Sequence, residues 1–502
     1  EYDPASGNKK LFKDILRDRW GFEGFVVTDY TAVNEMIDHG VGDLATVSAK
    51  SLNAGIDMDM VGEGFVNTLK ASVENDLVLE ESINVACRRI LQAKEKLGLF
   101  DDPYRYFDEE RAKKEILSPG NRAFARKVAG ESFVLLKNDS QLLPLKKQGK
   151  IALIGPLADS RRNMLGTWSV SGDHNLAVTL KEGIEVAVGK KADILYALGA
   201  NISDDPVFAD RVNAFGPEIV IDPRDPDVLI AEALEIANRS DVVVAVVGEA
   251  ADMSGEASSM AHIGLQPSQQ KLLKALKETG KPIVLVLYNG RPMTLVWEDQ
   301  NMDAILDVWF GGTEGANAVA DVLFGDVNPG GRLTTSFPVH VGQIPVYHGM
   351  LNTGRPDTRL STKFWSSYLD IPNEPLYPFG YGLSYTEFSY GDIEMDRDTM
   401  EAYTNIVASV LVTNTGKRNG SEVVQMYIQD KVGSISRPKM ELKGFQKIVL
   451  KPGESQKVYF TIDASDLKFY DANLKFLAEP EQFELMIGRN AADVKKKPFV
   501  LK

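Results

Sequence analysis

Three places in this 502-residue sequence hold residue types able to do chemistry. Asp29 closes the apolar run Phe25-Val26-Val27-Thr28. The run reads as a buried strand, and carboxyl ends of such strands are where α/β architectures place catalytic groups. Asp29 is therefore either a reacting carboxylate or a strand-end Asp satisfied by backbone N–H groups. The segment 247–259 follows the most apolar run of the second domain and carries Glu249, Asp252 and Glu256 among mostly small residues, with Met253 and Ser254 between the last two. It is either a binding loop at a strand end or a solvated acidic loop. Trp168 lies in the Gly/Ser-rich stretch 165–172, where a tryptophan is either packed or offered as a platform to a flat apolar face such as a sugar ring. Trp297 and Trp309 stand in apolar, core-like contexts.

Other chemistries lack their signatures. There is no G-x-G-x-x-G after a strand, no phosphate loop ending in G-K-[ST], no H-E-x-x-H and no G-x-S-x-G. One cysteine, Cys87, and five scattered histidines give neither an internal disulfide nor zinc-ligand spacing, so neither a metal nor a cofactor is expected. The 56 basic and 71 acidic residues leave a formal charge of −15, which repels phosphate backbones and argues against a nucleic-acid partner. No run of about 18 apolar residues suggests a membrane span. Two carboxylates on separate elements with aromatic platforms, working without metal or cofactor, are what glycoside hydrolysis requires.

The elements that must position these groups fall into three regimes. Residues 1–100 read as the tail of a (β/α)8 barrel: an amphipathic helix over 11–20, short strands at 25–29 and 56–60, and helices over 43–54 and 80–97. Two such units are too few to close a barrel. Residues 101–120, polar and aromatic between prolines, read as a linker. Residues 121–335 begin with a helix over 122–137. Apolar runs at 151–154, 193–196, 241–247, 282–287 and 304–309 then alternate with helices over 228–237, 267–279 and 315–323, the pattern of a doubly wound α/β sandwich. A connecting segment, 336–400, is rich in Pro, Gly and Tyr. Over 401–502 the period drops to two, at 406–413, 423–429, 457–462 and 483–487, predicting a β-sandwich of about seven strands. The expected fold is multidomain α/β plus all-β.

Several runs, in order along nearly the whole chain, resemble motifs of glycoside hydrolase family 3. They are LRDRWGFEGFVVTDY (16–30), AGIDMDM (54–60), ESFVLLKND (131–139) with LPL (143–145), IGPLAD (154–159), GTEGANAVADVLFGDVNPGGRL (312–333) and LYPFGYGLSYTEF (376–388). The resemblance implies a retaining exo-β-glycosidase, a β-glucosidase first and a β-xylosidase second, releasing terminal β-D-glucose from a β-linked oligosaccharide or glucoside. It implies Asp29 as nucleophile, Glu256 in SGEASS as acid/base, and Trp168 and Tyr30 as aromatic walls, with Glu249, Met253 and Ser254 as further sugar contacts. The two carboxyl groups would then approach to about 5–5.5 Å. Glu249 is the rival for the acid role. Two positions depart from the family pattern: Tyr30 stands where Trp or His is common, and Met260 where Arg follows the acid/base loop. The resemblance further implies a fibronectin type III-like third domain, a periplasmic or secreted location and a homodimeric assembly. The family's earlier barrel motifs are not found here, so the sequence suggests a C-terminal portion wanting most of its barrel and working with a companion barrel segment. The competing expectation is a non-catalytic carbohydrate-binding or assembly fragment.

Overall fold

The computed structural model describes residues 3–169, 172–355 and 363–502, and the chain divides into two compact units, Glu1–Ile116 and Leu117–Lys502. Val170 and Ser171, at the end of the tryptophan loop, lie outside the described residues.

The first unit is mainly helical. A π-helix, Lys10–Arg19, is followed by helices Ala32–Asp38, Leu44–Ala54, Gly64–Glu74, Glu80–Lys96 and Glu109–Glu115. The last of these lies inside the stretch expected as linker, with the Asp108 side chain accepting from the Arg111 N–H at its start. Helix Glu80–Lys96 opens on Glu80 and Glu81 and closes on Lys94 and Lys96, the charge order that complements its dipole. Its neighbours bury Ala49, Leu52, Leu69, Val78 and Ala86 in one small cluster, and Val33, Met36 and Val47 in another. The strands expected at 25–29 and 56–60 are reduced to a single parallel bridge, Val27↔Met58. Both bridged side chains are more than a third exposed, so the pair lacks the two-sided burial that lengthens parallel strands.

What fixes this pair is a buried charge. Asp57, 2% exposed, accepts from Arg17 (2.7 Å) and Arg89 (2.9 Å) and from the backbone N–H of Val26 (2.8 Å). The Thr28 N–H donates to Met58 O, the Met60 N–H donates to Thr28 Oγ1 (2.9 Å), and the Thr31 N–H donates to Met60 O. The chain therefore leaves residue 28 in one defined direction.

The second unit opens with a six-stranded sheet in the order β1-β6-β5-β4-β2-β3. Its strands are β1 (Val134–Asn138), β2 (Gly149–Ile154), β3 (Ala192–Ala197), β4 (Val242–Gly248), β5 (Ile283–Tyr288) and β6 (Ala304–Asp307). All pairings are parallel except β1 with β6. Alternation along the strands feeds two cores. Leu135, Ile151, Leu153, Val244, Val286 and Leu306 face helices Leu180–Val188 and Gly315–Leu323, while Leu136, Ala152, Ile154, Val243, Val247 and Leu285 face Pro226–Asn238 and Pro267–Lys277. Each fully buried Val, Leu or Ile contributes about 1.5–3 kcal/mol of transfer free energy, so the sheet is a rigid base for its loops.

β1 is a correction. The helix expected over 122–137 is Pro119–Ser132, started by the Ser118 cap and Pro119, and it stops before Val134-Leu135-Leu136. Those three side chains are at most 1% exposed and point alternately into the two cores, which only an extended segment can do. β6 ends at Asp307 rather than at residue 309, because Trp309 takes a left-handed φ of +50°.

The rest of this unit is a β-sandwich. One sheet pairs β13 (Ser455–Ile462), β10 (Ile406–Asn414) and β7 (Phe388–Tyr390), with β8 (Glu394–Met395) also on β10. The other runs β12-β11-β16-β17-β9, comprising Glu441–Leu450, Gly420–Asp430, Gln482–Asn490, Asp493–Leu501 and Thr399–Met400. Val410, Val412, Met426, Ile428, Phe460, Leu485 and Phe499 fill the space between. A short hairpin, β14 (Phe469–Tyr470) with β15 (Phe476–Leu477), lies apart. The α/β part and the sandwich share a buried ion pair, Arg332 with Glu422 (3.0 Å), on which Tyr390 Oη also donates (2.9 Å).

Candidate active site

In the first unit, Asp29 follows the clamped segment directly and its side chain is exposed. Its Oδ1 accepts from the Tyr30 N–H (2.7 Å). Tyr30 is 62% exposed, and Thr31 takes a left-handed φ of +59° as the chain turns into helix Ala32–Asp38. A carboxylate and a phenol thus stand exposed on one short turn.

In the second unit the topology itself selects two loops. From β2 the chain winds outward to β3, whereas β4, β5 and β6 lie on the other side, so the order reverses between β2 and β4. Ligands of open α/β sheets bind beyond the carboxyl ends of strands at such a reversal. The loop after β2 carries Trp168 and the loop after β4 carries Glu256. Both leave through glycines that no other residue could replace. A Cβ on Gly155 (φ +134°) would meet Val246 O at 2.0 Å, and one on Gly248 (φ +139°) would meet Tyr288 O at 1.9 Å.

The two loops meet at Gly255. A methyl there would lie 2.6 Å from Thr167 Cγ2 and 3.5 Å from Trp168 Cζ2. Gly255 has φ +101° and Ala257 φ +54°, so Glu256 sits on a turn bent on both sides, with its side chain exposed. Trp168 beside it is 73% exposed. The structure sets the exposed Trp168 ring against Gly255, the residue before the exposed Glu256.

Glu249, Met253 and Ser254 are placed differently from expectation. Each is at most 6% exposed, beneath the loop rather than on its open side. Met253 joins the core, with its sulfur 3.3 Å from the Ala250 N–H that faces it. Glu249 forms an ion pair with Arg291 (Oε1 to Nε, 2.8 Å) and accepts from the Gly290 N–H (3.1 Å). Burial pushes its carboxyl pKa up, and Gly290 and Arg291 oppose that rise. Met260, at the position where Arg was expected, packs against the same core.

Several polar residues that hold this loop were not anticipated. The Asn163 side chain accepts from the Ala251 N–H (2.8 Å), and Thr167 Oγ1 lies against Ala251 O and Ser254 O (2.9 Å). Beyond β5, the Asn289 side chain meets the carboxyl end of β6, where Asp307 is fully buried. Burial raises the Asp307 carboxyl well above the usual range, against the Trp309 N–H (3.2 Å) and the Asn289 side chain. The sequence did offer a signal: Asn289-Gly290-Arg291-Pro292 immediately follows the apolar run of β5, again a strand end.

Comparison with known proteins gives this geometry its context. Residues 133–385 match the model of the glycosyl hydrolase family 3 C-terminal domain, and residues 1–93 match that of the family's N terminal domain. The chain belongs to glycosyl hydrolase family 3. Residues 422–491 match a fibronectin type III-like domain, in the β-sandwich. A periplasmic beta-glucosidase of Salmonella typhimurium is 50% identical over 99% of this chain, and a beta-xylosidase of Formosa agariphila is 39% identical over 97%. A beta-glucosidase from Listeria innocua, solved in complex with isofagomine, superposes with a TM-score of 0.90 at 36% identity, covering all of this chain and 67% of its own.

The chain spans 66% of the length of the Salmonella and Formosa relatives. The expectation of a C-terminal portion wanting most of its barrel is not supported, since residues 1–93 match the family's N-terminal domain. Among the described residues, no helix is long and apolar enough to cross a membrane.

Proposed function

We propose that the chain carries the catalytic pair of a retaining, exo-acting β-glucosidase, with Asp29 as nucleophile and Glu256 as acid/base. The observation that carries the reading is the exposed Glu256 beside the exposed Trp168 at the reversal point of the sheet. The match of residues 16–30 to the family's nucleophile motif supports the assignment of Asp29. An Asp29 oxygen attacks the anomeric carbon while the bond to the leaving oxygen breaks and that oxygen takes the Glu256 proton. Water then gives a proton back to Glu256 as it attacks the same carbon, and the ester to Asp29 breaks with net retention. Trp168 and Tyr30 supply apolar faces for sugar rings. Glu249, buried against Arg291, is a support of the loop and not the acid.

The substrate is a β-glucoside or β-linked glucose oligosaccharide. The Salmonella relative's name supports glucose as the released sugar and an exported, periplasmic location. A companion segment and a homodimeric assembly belong to the same reading, and the mass of the assembled enzyme tests both.

Glu256→Gln and Glu249→Gln test the assignment, assayed with an activated aryl β-glucoside with and without azide. Glu256→Gln is expected to accumulate the glycosyl-enzyme and to be rescued by azide, giving the β-glycosyl azide. Rescue of Glu249→Gln instead would reverse the roles, and rescue of neither would refute the mechanism.

A further inference from the structure

Resting on the reading of Glu256 as the acid/base, we infer that Arg291, anchored by Glu249, is a positioning residue that sets the direction of the Glu256 carboxyl. The guanidinium donates through Nη2 to Met253 O and to Ser258 O (2.9 Å), carbonyls that lie three residues before and two residues after Glu256. It therefore ties the two ends of the turn to one point. Its Nε, next to that Nη2, forms an ion pair with Glu249 (2.8 Å), just past the end of strand β4, and Glu249 is held in turn by the Gly290 N–H. The Arg291 side chain is 18% exposed and that of Glu249 is 3% exposed, so water competes poorly for these contacts.

The opposite flank is fixed independently. Asn163 and Thr167 hold Ala251 and Ser254, and Ser258 Oγ lies 3.0 Å from both Asp252 O and Glu256 O. Gly255 takes its φ of +101° freely, but φ +54° at Ala257 is not an intrinsic preference of alanine, so something must over-determine the turn. Arg291 does so from beneath while leaving the upper side of the turn open to substrate. Lysine cannot reproduce this, because it lacks a planar fork that reaches two carbonyls and a carboxylate together.

The inference separates from simple destabilisation through leaving-group dependence. Proton donation is needed for a poor leaving group such as an alkyl or sugar alcohol and hardly at all for 2,4-dinitrophenolate. In the full-length enzyme, Arg291→Ala, Arg291→Lys and Glu249→Gln are compared with Glu256→Gln across aryl and alkyl β-glucosides, with thermal unfolding as the folding control. A misdirected acid should lower kcat/KM about a hundredfold for poor leaving groups while sparing the dinitrophenyl substrate. Arg291→Lys and Glu249→Gln should show the same trend at smaller amplitude. Equal losses for all leaving groups, or no loss, in folded Arg291→Lys and Glu249→Gln would overturn the positioning role, even if Arg291→Ala fails to fold. If Glu256→Gln itself shows no leaving-group dependence, the acid assignment fails instead.

Discussion

Replacing Asp57 by alanine should loosen the segment that ends in Asp29 more than any other single change in the first unit. Asp57 is the common acceptor of Arg17, Arg89 and the Val26 N–H, with the two arginine side chains only 10% and 24% exposed. Burial already pushes the Arg17 pKa down, with Asp57 opposing that shift. Truncation strands two cations in a site built around an anion, and breaking a buried pair on one side costs about 3–5 kcal/mol. At 1.4 kcal/mol per factor of ten, the opening equilibrium of residues 26–28 and 57–60 should rise by roughly two to three and a half powers of ten. Hydrogen exchange of peptides covering these residues reads that change directly. Thr28→Val, which removes only the bond from the Met60 N–H, provides the scale, at about 1 kcal/mol. Exchange in Asp57→Ala no faster than in Thr28→Val would refute the claim that the buried charge organises this segment.

Three further outcomes follow from the second unit. Gly255→Ala should cost about 1–3 kcal/mol of backbone strain and depress kcat, and adding Thr167→Ser, which deletes the crowding Cγ2 but keeps the hydroxyl, should recover part of the loss. Trp168→Ala, at an exposed site, should leave stability within about 0.5 kcal/mol while raising KM for substrates with an aromatic or sugar leaving group, as steady-state kinetics would show. Asp307 keeps its proton in the folded state at pH values where the unfolded chain has lost it. This group therefore favours folding in acid, and that stabilisation is lost as pH rises above the ordinary carboxylate range. Asp307→Asn should remove the dependence, so the variant's Tm advantage over wild type should widen from pH 4 to pH 8, and a constant difference would contradict it.

The strands of the α/β sheet were legible because parallel strands buried on both faces must be continuously apolar, as Val242–Gly248 and Ile283–Tyr288 are. β1 was hidden because Ser132 and Phe133 join its three apolar residues to a good helix without a glycine or proline between them. β12 and β17 escaped for the opposite reason. β12 exposes Phe445 and Val449, and β17 carries Lys495, Lys496, Lys497 and Pro498, so neither alternates cleanly. At the site, Glu256 and Trp168 were visible as a carboxylate and a tryptophan in loops of small residues. The burial of Glu249 and Met253 was not, because it depends on Arg291 and Asn163, which are 38 and 88 residues distant from the loop atoms they hold. A side chain that bonds a remote backbone group leaves no pattern in local sequence.

The central claim is that Asp29 becomes covalently bonded to the sugar. A 2-deoxy-2-fluoro-β-glucoside with a good leaving group slows both steps and traps the intermediate, after which proteolysis and mass spectrometry locate the label. The account predicts one 2-fluoroglucosyl group on the peptide containing Asp29, and its loss of formation in Asp29→Ala. Labelling of a different carboxylate, or turnover with inverted product and no label, would contradict it.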